Sequence, residues 1–478
     1  DPNLVPEAKR IDSISYEEAN ELANYGAHIL HAKTIVPLIE KNIPLRIRNT
    51  FNPKSPGTRI EVNPGNGGIK SLSVQEDAAL IYLEGRGLLG KVGIDARIFR
   101  VLGQNQINVG IISQGSSERG IGLIVNATKA KKAKQVLDLE FETDYSFQDI
   151  NQISVNQEVS VISIVGIDKA TFHKPFNALV KNQITPLLFN NTVSGKNVSL
   201  VVEKTDLNKA LNVIHGQIFG VSKKINLAIF GHGNVGGTLI NQILDSHESI
   251  EKRKGIDLRI FAVANSKKVL FRAKGIREDW SEELGLNGND YGIKDIIDFA
   301  QDHHLENLIA VDNTASADFV SHYEKLILHG FDLVSSNKIA NTLSFDFYRS
   351  IRQELGANQK QYLYETNVGA GLPLIDTIKL LHLSGENITR IKGVFSGSLS
   401  YIFNTFSEKE SVFSSIVQEA MEKGYTEPDP REDLSGNDVG RKLLILAREL
   451  DLQNEFEDIA IDNLLPSELR AIGFDEFL

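Results

Sequence analysis

Gly231-His232-Gly233-Asn234-Val235-Gly236 spaces three glycines as G-x-G-x-x-G. Gly231 permits a tight turn, Gly233 lets backbone approach a pyrophosphate, and Gly236 allows a helix to pack closely on a strand. With Asn234 and Val235 between them, these residues are a candidate dinucleotide loop, the bland alternative being a plain tight turn. The next β-rich run, IDLRIFAVANS, ends at Asn265-Ser266-Lys267-Lys268, where an NAD site would carry an acid for the ribose. Two lysines suit a 2′-phosphate instead, so NADP is expected ahead of NAD, against the alternative of a solvated turn.

Three further groups are rich in chemistry. Thr314 and Lys338 each follow an apolar run. Thr314 can bond the nicotinamide end of a cofactor or cap the helix ASADFVSHYEKL, and Lys338 can hold a carboxylate, poise a proton transfer, or snorkel at the surface. In ETNVGAGLP, Gly369 and Gly371 can turn consecutive carbonyls toward one point beside Glu365, as a hard cation requires, or serve as a strand-to-helix turn. In GYTEPDPREDLSGNDVGRKLLILAREL, Gly424 sits where a helix C-cap belongs, and Pro428 and Pro430 are expected to hold Glu427 on a stiff extended segment. Asp438 and Lys442 stand four apart on one helical face, as a carboxylate orienting a proton-donating ammonium or as an ordinary surface pair.

The elements that must position these residues follow from hydrophobic periodicity. Strands at Ile225–Phe230, Leu258–Ala264, Leu308–Asp312 and Phe331–Ser336 alternate with helical patterns, which predicts a parallel, doubly wound sheet with ligand at the carboxyl ends of its strands. Beyond it, strands at Gln361–Glu365 and Ile388–Phe395 mixed with helices predict an α+β region. Upstream, IGLIVNATKAKKAKQVL (121–137) matches VSLVVEKTDLNKALNVI (198–214), an internal repeat. Each copy reads as βαββαβ, a ferredoxin-like sandwich, with first strands at 78–85 and 158–166 and helices at Ile94–Leu102 and Phe172–Val180. The opening residues hold one helix, Tyr16–Leu30, and a strand near Leu45–Asn49. The domains predicted are 1–70, 71–145, 146–222, 223–345 and 346–478.

The 478 residues carry 51 Lys+Arg against 62 Asp+Glu, a net charge of −11, with no block of like charge. That balance offers no footprint for nucleic acid or an anionic membrane, and no apolar run approaches the roughly 20 residues of a bilayer span. The absence of cysteine excludes disulfides, thiolate metal sites and thiol nucleophiles, and accords with a reducing compartment.

GYTEPDPREDLSGNDVGRK, SSNK, ETNVGAGLP and SGSLSYI (396–402) resemble, in order and spacing, the motifs of homoserine dehydrogenases. ISYEEANELANYGAHILHAKTIVPLIEKNIPLRIRNTFNPKSPGTRI looks like the end of an aspartokinase catalytic domain, and INVGIISQGSSE (107–118) like an ACT regulatory repeat. The whole chain is thus similar to the bifunctional aspartokinase/homoserine dehydrogenase family. The resemblance implies two ACT repeats, a Rossmann-type domain, and an α+β catalytic domain incomplete at its C-terminus, the family continuing for on the order of a hundred residues. Kinase activity is not expected, because the ATP-binding segments are missing.

By resemblance, Gly231, Gly233, Gly236, Thr314, Lys338 and Gly424 occupy NADP positions. Glu427 and Asp438 would bind the substrate's ammonium, and Lys442 would donate a proton to the carbonyl being reduced. Glu365, Val368, Ala370 and Leu372 would hold a monovalent cation such as sodium, largely through backbone oxygens. The implied reaction reduces aspartate 4-semialdehyde to homoserine, within threonine and methionine biosynthesis. Threonine is the implied effector at Asn108, Gln114 and Ser116, in a cytoplasmic or plastid homo-oligomer. The rival reading is a non-catalytic amino-acid sensor and assembly module.

Overall fold

The computed structural model describes all residues except 1–4, 6–7, 25–31, 63, 65–67, 87–91, 115–119, 168–172, 193–196, 220–221, 409–410, 427–428, 471 and 478. The chain divides into two compact units. The first is Asp1–Lys224 with Ile250–Asp257 and His304–Glu306, and the second is the remainder.

The first unit opens with β1 (Ser13–Ser15), α1 (Tyr16–Asn24), α2 (Ala32–Glu40), β2 (Leu45–Ile47) and β3 (Thr58–Glu61). Its small sheet runs β1-β3-β2 over a core of Ile14, Tyr16, Ala19, Ile35 and Ile60. The repeat follows as β4 (Gly68–Glu84), α3 (Ile94–Gln104), β5 (Val109–Gln114), β6 (Gly120–Asn126), α4 (Ala130–Glu140) and α5 (Glu142–Ser146). The second copy is β7 (Gln152–Ile167), α6 (His173–Lys181), β8 (Leu188–Asn191), β9 (Asn197–Glu203) and α7 (Leu207–Phe219).

The strands expected at 78–85 and 158–166 are the halves of two much longer ones, β4 and β7, which pair antiparallel along their length. Residues 80–84 of β4 lie against 152–156 of β7, so the start of β7 closes the first sandwich. Residues 68–75 of β4 lie against 161–167, so the start of β4 closes the second. Register shifts between Gln75 and Leu80 mark the changeover. The predicted boundary at 145/146 does not separate the copies, because the first takes residues 152–156 from beyond it and the second takes 71–75 from before it, and the boundary at 70/71 cuts β4 itself.

Alternation explains why β6 and β9 read as continuous apolar runs. Ile121, Leu123 and Val125 face the first copy's helices, while Ile124 joins Ala78, Ile111, Val159, Val161, Leu188 and Val201 in a core shared by both copies. The six strands form one sheet in the order β5-β6-β4-β7-β9-β8, and the face opposite the helices carries this shared core. A Cβ on Gly122 would stand 3.3 Å from Leu188 Cδ1, so this glycine makes room for the contact.

The second unit is built on β10 (Lys223–Phe230), α8 (Asn234–Lys254), β11 (Ile256–Ala264), β12 (Lys268–Phe271), α9 (Trp280–Asn287), β13 (Asn289–Asp290), α10 (Ile293–Asp302), β14 (Leu308–Asp312), α11 (Ala317–Val320), α12 (Tyr323–Leu328), β15 (Phe331–Ser335), α13 (Phe345–Ala357) and β16 (Tyr362–Leu363). The strand order is β13-β12-β11-β10-β14-β15-β16. β10, β14 and β15 pair in parallel as expected and β16 extends that parallel run, but β12 and β13 add an antiparallel edge, because Lys268 begins a hairpin strand.

The remainder is helical: α14 (Leu374–Leu383), α15 (Gly397–Glu408), α16 (Phe413–Glu422), α17 (Pro430–Leu434), α18 (Asn437–Arg448) and α19 (Phe474–Phe477). The strand predicted at Ile388–Phe395 has no ladder partner among the described residues, and a β pattern without a neighbour makes no strand. The one predicted at Gln361–Glu365 shortens to β16 and joins the nucleotide-type sheet, past the expected boundary at 345.

Candidate active site

The G-x-G-x-x-G segment lies between β10 and α8. Gly231 has φ 83°, and a Cβ there would meet the Asn313 carbonyl oxygen at 2.8 Å. A Cβ on Gly236 would fall 1.9 Å from the Gly231 carbonyl oxygen, so only glycine lets the helix start this close to the strand. At Gly233 a Cβ would meet nothing within 4 Å. The turn is thus tight where chain packs on chain and open where a phosphate would approach. Asn234 and the exposed Val235 begin the 21-residue α8, whose N-terminal N–H groups favour an anion. His232 Nε2 and Asn313 Nδ2 are buried beside the turn without a hydrogen-bond partner among the described residues. These features fit a dinucleotide.

The Asn265–Lys268 turn is held by Asn265, whose Oδ1 accepts the backbone N–H of Lys267 at 2.8 Å and of Lys268 at 2.7 Å. Lys268 directs its ammonium to the Gly285 carbonyl at 3.5 Å, whereas Lys267 is exposed at the tip.

The carboxyl ends of β14 and β15 are joined by a buried network around Asp312. Its Oδ1 accepts the Thr314 N–H at 2.8 Å, and its Oδ2 accepts Tyr323 Oη at 2.7 Å and Asn337 Nδ2 at 3.0 Å. Burial pushes the Asp312 carboxyl above its ordinary value, although Thr314, Tyr323 and Asn337 hydrogen-bond to it. Sequence reasoning assigned Asp312 no role; an acid closing the otherwise apolar strand LIAVD was the available signal. Thr314 does not cap α11. Ser316 does, accepting the Phe319 N–H at 3.2 Å, while Thr314 Oγ1 lies 3.4 Å from Asn337 Nδ2.

Lys338, just past β15, does not snorkel. Its ammonium faces Asp438 Oδ1 at 3.4 Å, and Lys442 meets Asp438 Oδ2 at 2.6 Å. Lys442 also donates to the Phe395 carbonyl at 2.8 Å. Burial alone would raise the Asp438 carboxyl, but the Lys442 hydrogen bond and the charges of both lysines outweigh it and hold the group below its usual value. An i,i+4 pair that sequence could not distinguish from surface decoration therefore supplies two of the three members of a two-lysine, one-carboxylate cluster at the strand ends.

Gly424, with φ 69°, follows α16 as the expected left-handed stop, and the Tyr425 N–H returns to the Ala420 carbonyl at 2.9 Å. Pro430 does not stiffen an extended segment; it is the first residue of α17, with Asp429 as N-cap. Glu427 and Pro428 lie outside the described residues.

At ETNVGAGLP, Gly369 (φ 85°) and Ala370 (φ 52°) are consecutive left-handed residues, a sharp reversal after the fully buried Val368. The Glu365 carboxylate accepts the N–H groups of Ile375 and Asp376, both at 2.9 Å, and so caps α14. The Leu372 carbonyl accepts the Leu374 N–H at 2.8 Å.

In the first unit, Asn108 precedes β5 and Gln114 ends it, both exposed. At about 3.3 Å per residue they stand roughly 20 Å apart, too far for one amino acid to touch both. Ser116 lies outside the described residues. Among the described residues, no helix is long and apolar enough to cross a membrane.

Comparison with known proteins assigns these parts. Residues 1–49 match the amino acid kinase family, 81–141 the ACT domain, 231–365 the homoserine dehydrogenase NAD binding domain, and 373–473 homoserine dehydrogenase. The chain is 37% identical over 493 aligned residues to a bifunctional aspartokinase/homoserine dehydrogenase of Haemophilus influenzae, covering 100% of this chain and 59% of the relative. It is 36% identical to the chloroplastic bifunctional aspartokinase/homoserine dehydrogenase 1 of Arabidopsis thaliana, covering 100% of this chain and 54% of that one. A solved putative homoserine dehydrogenase from Archaeoglobus fulgidus superposes with a TM-score of 0.43 at 23% identity, over 50% of this chain and 72% of its own. The chain thus spans between half and three fifths of the length of these curated relatives.

Proposed function

Because the chain belongs to the bifunctional aspartokinase/homoserine dehydrogenase family, we propose that its second unit interconverts aspartate 4-semialdehyde and homoserine, using NADP. The observation that carries this reading is the Lys338–Asp438–Lys442 cluster at the carboxyl ends of the parallel strands. The nicotinamide supplies or accepts the hydride. Lys442 supplies the proton: an ammonium has three N–H donors, Asp438 and Phe395 take two, and the third is left for the substrate's carbonyl oxygen. Asp438 keeps an anion beside that ammonium and, with Glu427, is proposed to bind the substrate's own ammonium. Thr314, Lys338 and Gly424 are proposed to line the nicotinamide side of the crevice. An assembly-only module has no use for a carboxylate clamped between two lysines, so the cluster favours the enzyme over the sensor. The direct test is NADP-dependent oxidation of homoserine by the full-length protein, followed at the NADPH absorbance; no turnover with cofactor bound would overturn the reading.

The preference for NADP over NAD is supported by exposed Lys267 where an acid would otherwise meet the ribose. Calorimetry should give the lower Kd for NADP, and Lys267→Ala should narrow the gap; equal affinities in the wild type would refute the preference. A sodium-like ion held by the carbonyls of Glu365, Val368, Ala370 and Leu372 is supported by the double left-handed reversal. Melting in sodium chloride should then exceed melting in tetramethylammonium chloride at equal ionic strength, and superimposed curves would rule the ion out.

Threonine is proposed as effector of the repeats, with Gln114 rather than Asn108 as its contact, in a homo-oligomer. Gln114→Ala should weaken threonine binding by about tenfold, the loss of one or two hydrogen bonds to a charged group. Coupling is reciprocal, so threonine that weakens cofactor binding must itself bind less tightly when cofactor is present. Unchanged calorimetric affinity in the variant removes Gln114 from the site.

A further inference from the structure

Arg448 ends α18, the helix that carries Asp438 and Lys442, and its side chain is fully buried. A buried guanidinium is tolerated only when its donors are placed. Here Nη1 donates to the carbonyls of Asn341 at 3.0 Å and Leu343 at 2.8 Å. Nε and Nη2 share the Asn454 carbonyl at 3.3 and 3.1 Å, and Nη2 also meets Glu455 Oε2 at 3.1 Å.

The two carbonyls held by Nη1 belong to the turn that begins at Lys338. That turn is gripped from other sides as well. Asn341 is fully buried, its Oδ1 accepting Arg352 Nη2 at 2.9 Å and its Nδ2 donating to Tyr362 Oη at 3.2 Å and Asn367 Oδ1 at 3.0 Å. Asn367 in turn donates to the Ser335 carbonyl at 3.0 Å, at the end of β15. The helix α18, about 18 Å long by its rise per residue, thus engages this turn twice: through Asp438 in its first turn and Arg448 in its last. Removing the guanidinium alone would leave the Asn341, Leu343 and Asn454 carbonyls short of a donor and Glu455 short of its cation, so the arginine both satisfies these buried acceptors and fixes their geometry.

Resting on the dehydrogenase reading above, we propose that Arg448 is a positioning residue, holding the 339–343 turn against α18 so that the Lys338 ammonium stays on Asp438. Lys338 is the member of the cluster that does not share a helix with Asp438. Nothing local to α18 keeps it there, and the clasp at Asn341 and Leu343 does.

The test is a double-mutant cycle in the full-length protein, using Arg448→Lys, Lys338→Met and the pair. It is read first on the carbon NMR titration of the Asp438 carboxyl without ligand. The charged groups facing Asp438 among the described residues are Lys442 on its own helix and Lys338 from the turn. Withdrawing Lys338 removes one of the two cations that favour the carboxylate, so each single variant should move the titration to higher pH. The pair should move it no further than Lys338→Met alone. In turnover, Arg448→Lys should lower kcat for homoserine oxidation by about 10²-fold, the cost of a misplaced cluster, with KM changed far less. If Arg448→Lys does not fold, Arg448→Met, which fills the volume without a buried charge, takes its place. An unmoved Asp438 titration in a folded Arg448 variant, or additive shifts in the pair, would overturn the proposal. Wild-type protein inactive on homoserine would instead overturn the dehydrogenase reading, with the Asp438 titration still deciding the role of Arg448.

Discussion

Replacing Lys442 with alanine in the full-length protein is expected to lower homoserine oxidation by about 10²–10⁴-fold, the usual contribution of a positioned general acid or base. NADP affinity should change little, because Lys442 contacts Asp438 and Phe395 rather than the glycine turn. The fold should survive: the side chain retains some solvent exposure, and its removal leaves Asp438 facing Lys338. Lys442→Arg is informative beside it. Arginine keeps the charge but stays protonated at any accessible pH, so it should restore substrate binding without restoring turnover. A fall of less than about tenfold in the alanine variant would remove Lys442 from the proton-transfer step.

The second large effect is expected at the glycine turn, where neighbouring positions fail for different reasons. A Cβ on Gly236 would sit 1.9 Å from a backbone oxygen, which cannot move without displacing α8 from β10. Gly236→Ala should therefore destabilise the second unit by about 1–3 kcal/mol as well as abolish cofactor binding. Gly233→Ala meets nothing within 4 Å. It should leave the melting temperature within a few degrees of wild type yet weaken NADP at least as severely, since the lost space is the cofactor's. Thermal melts and calorimetry on both variants separate the cases. Equal destabilisation by the two would mean that the turn's openness at Gly233 has nothing to do with a ligand.

What could be read from the sequence was what is local. The glycine turn declares itself within six residues, and Asp438 with Lys442 within one helical turn, so the types and spacing alone bring these groups together. Contacts across long separations were not legible. No pattern puts Lys338 on Asp438, a hundred positions away, or Arg448 on the carbonyls of Asn341 and Leu343. Asp312 was hidden because a carboxylate that accepts hydrogen bonds from Thr314, Tyr323 and Asn337 looks, in sequence, like the polar end of any strand. The unmade strand at Ile388–Phe395 erred in the other direction: β propensity is a preference for a pleated neighbour, and none of the described residues provides one. Asn108 and Gln114 were joined by motif, but a strand's rise separates what a one-dimensional motif sets side by side.

The exchange of strands between the two repeats bears on how the chain can be made. The second sandwich needs residues 68–75, which leave the ribosome before the first repeat's helices, and the first needs residues 152–156, which emerge only as the second repeat begins. Residues 68–75 must therefore wait, unpaired and β-prone, while almost a hundred further residues are synthesised. The first sandwich is complete once residues 152–156 have emerged, whereas the second cannot close until 161–167 reach back to 68–75, a late event with a high loop-closure cost. During that interval the exposed edge of β4 is the stretch of the nascent chain most open to mispairing with a neighbouring copy. A gene cut at the repeat boundary suggested by sequence would yield two fragments that lack a strand each and could recover it only from one another.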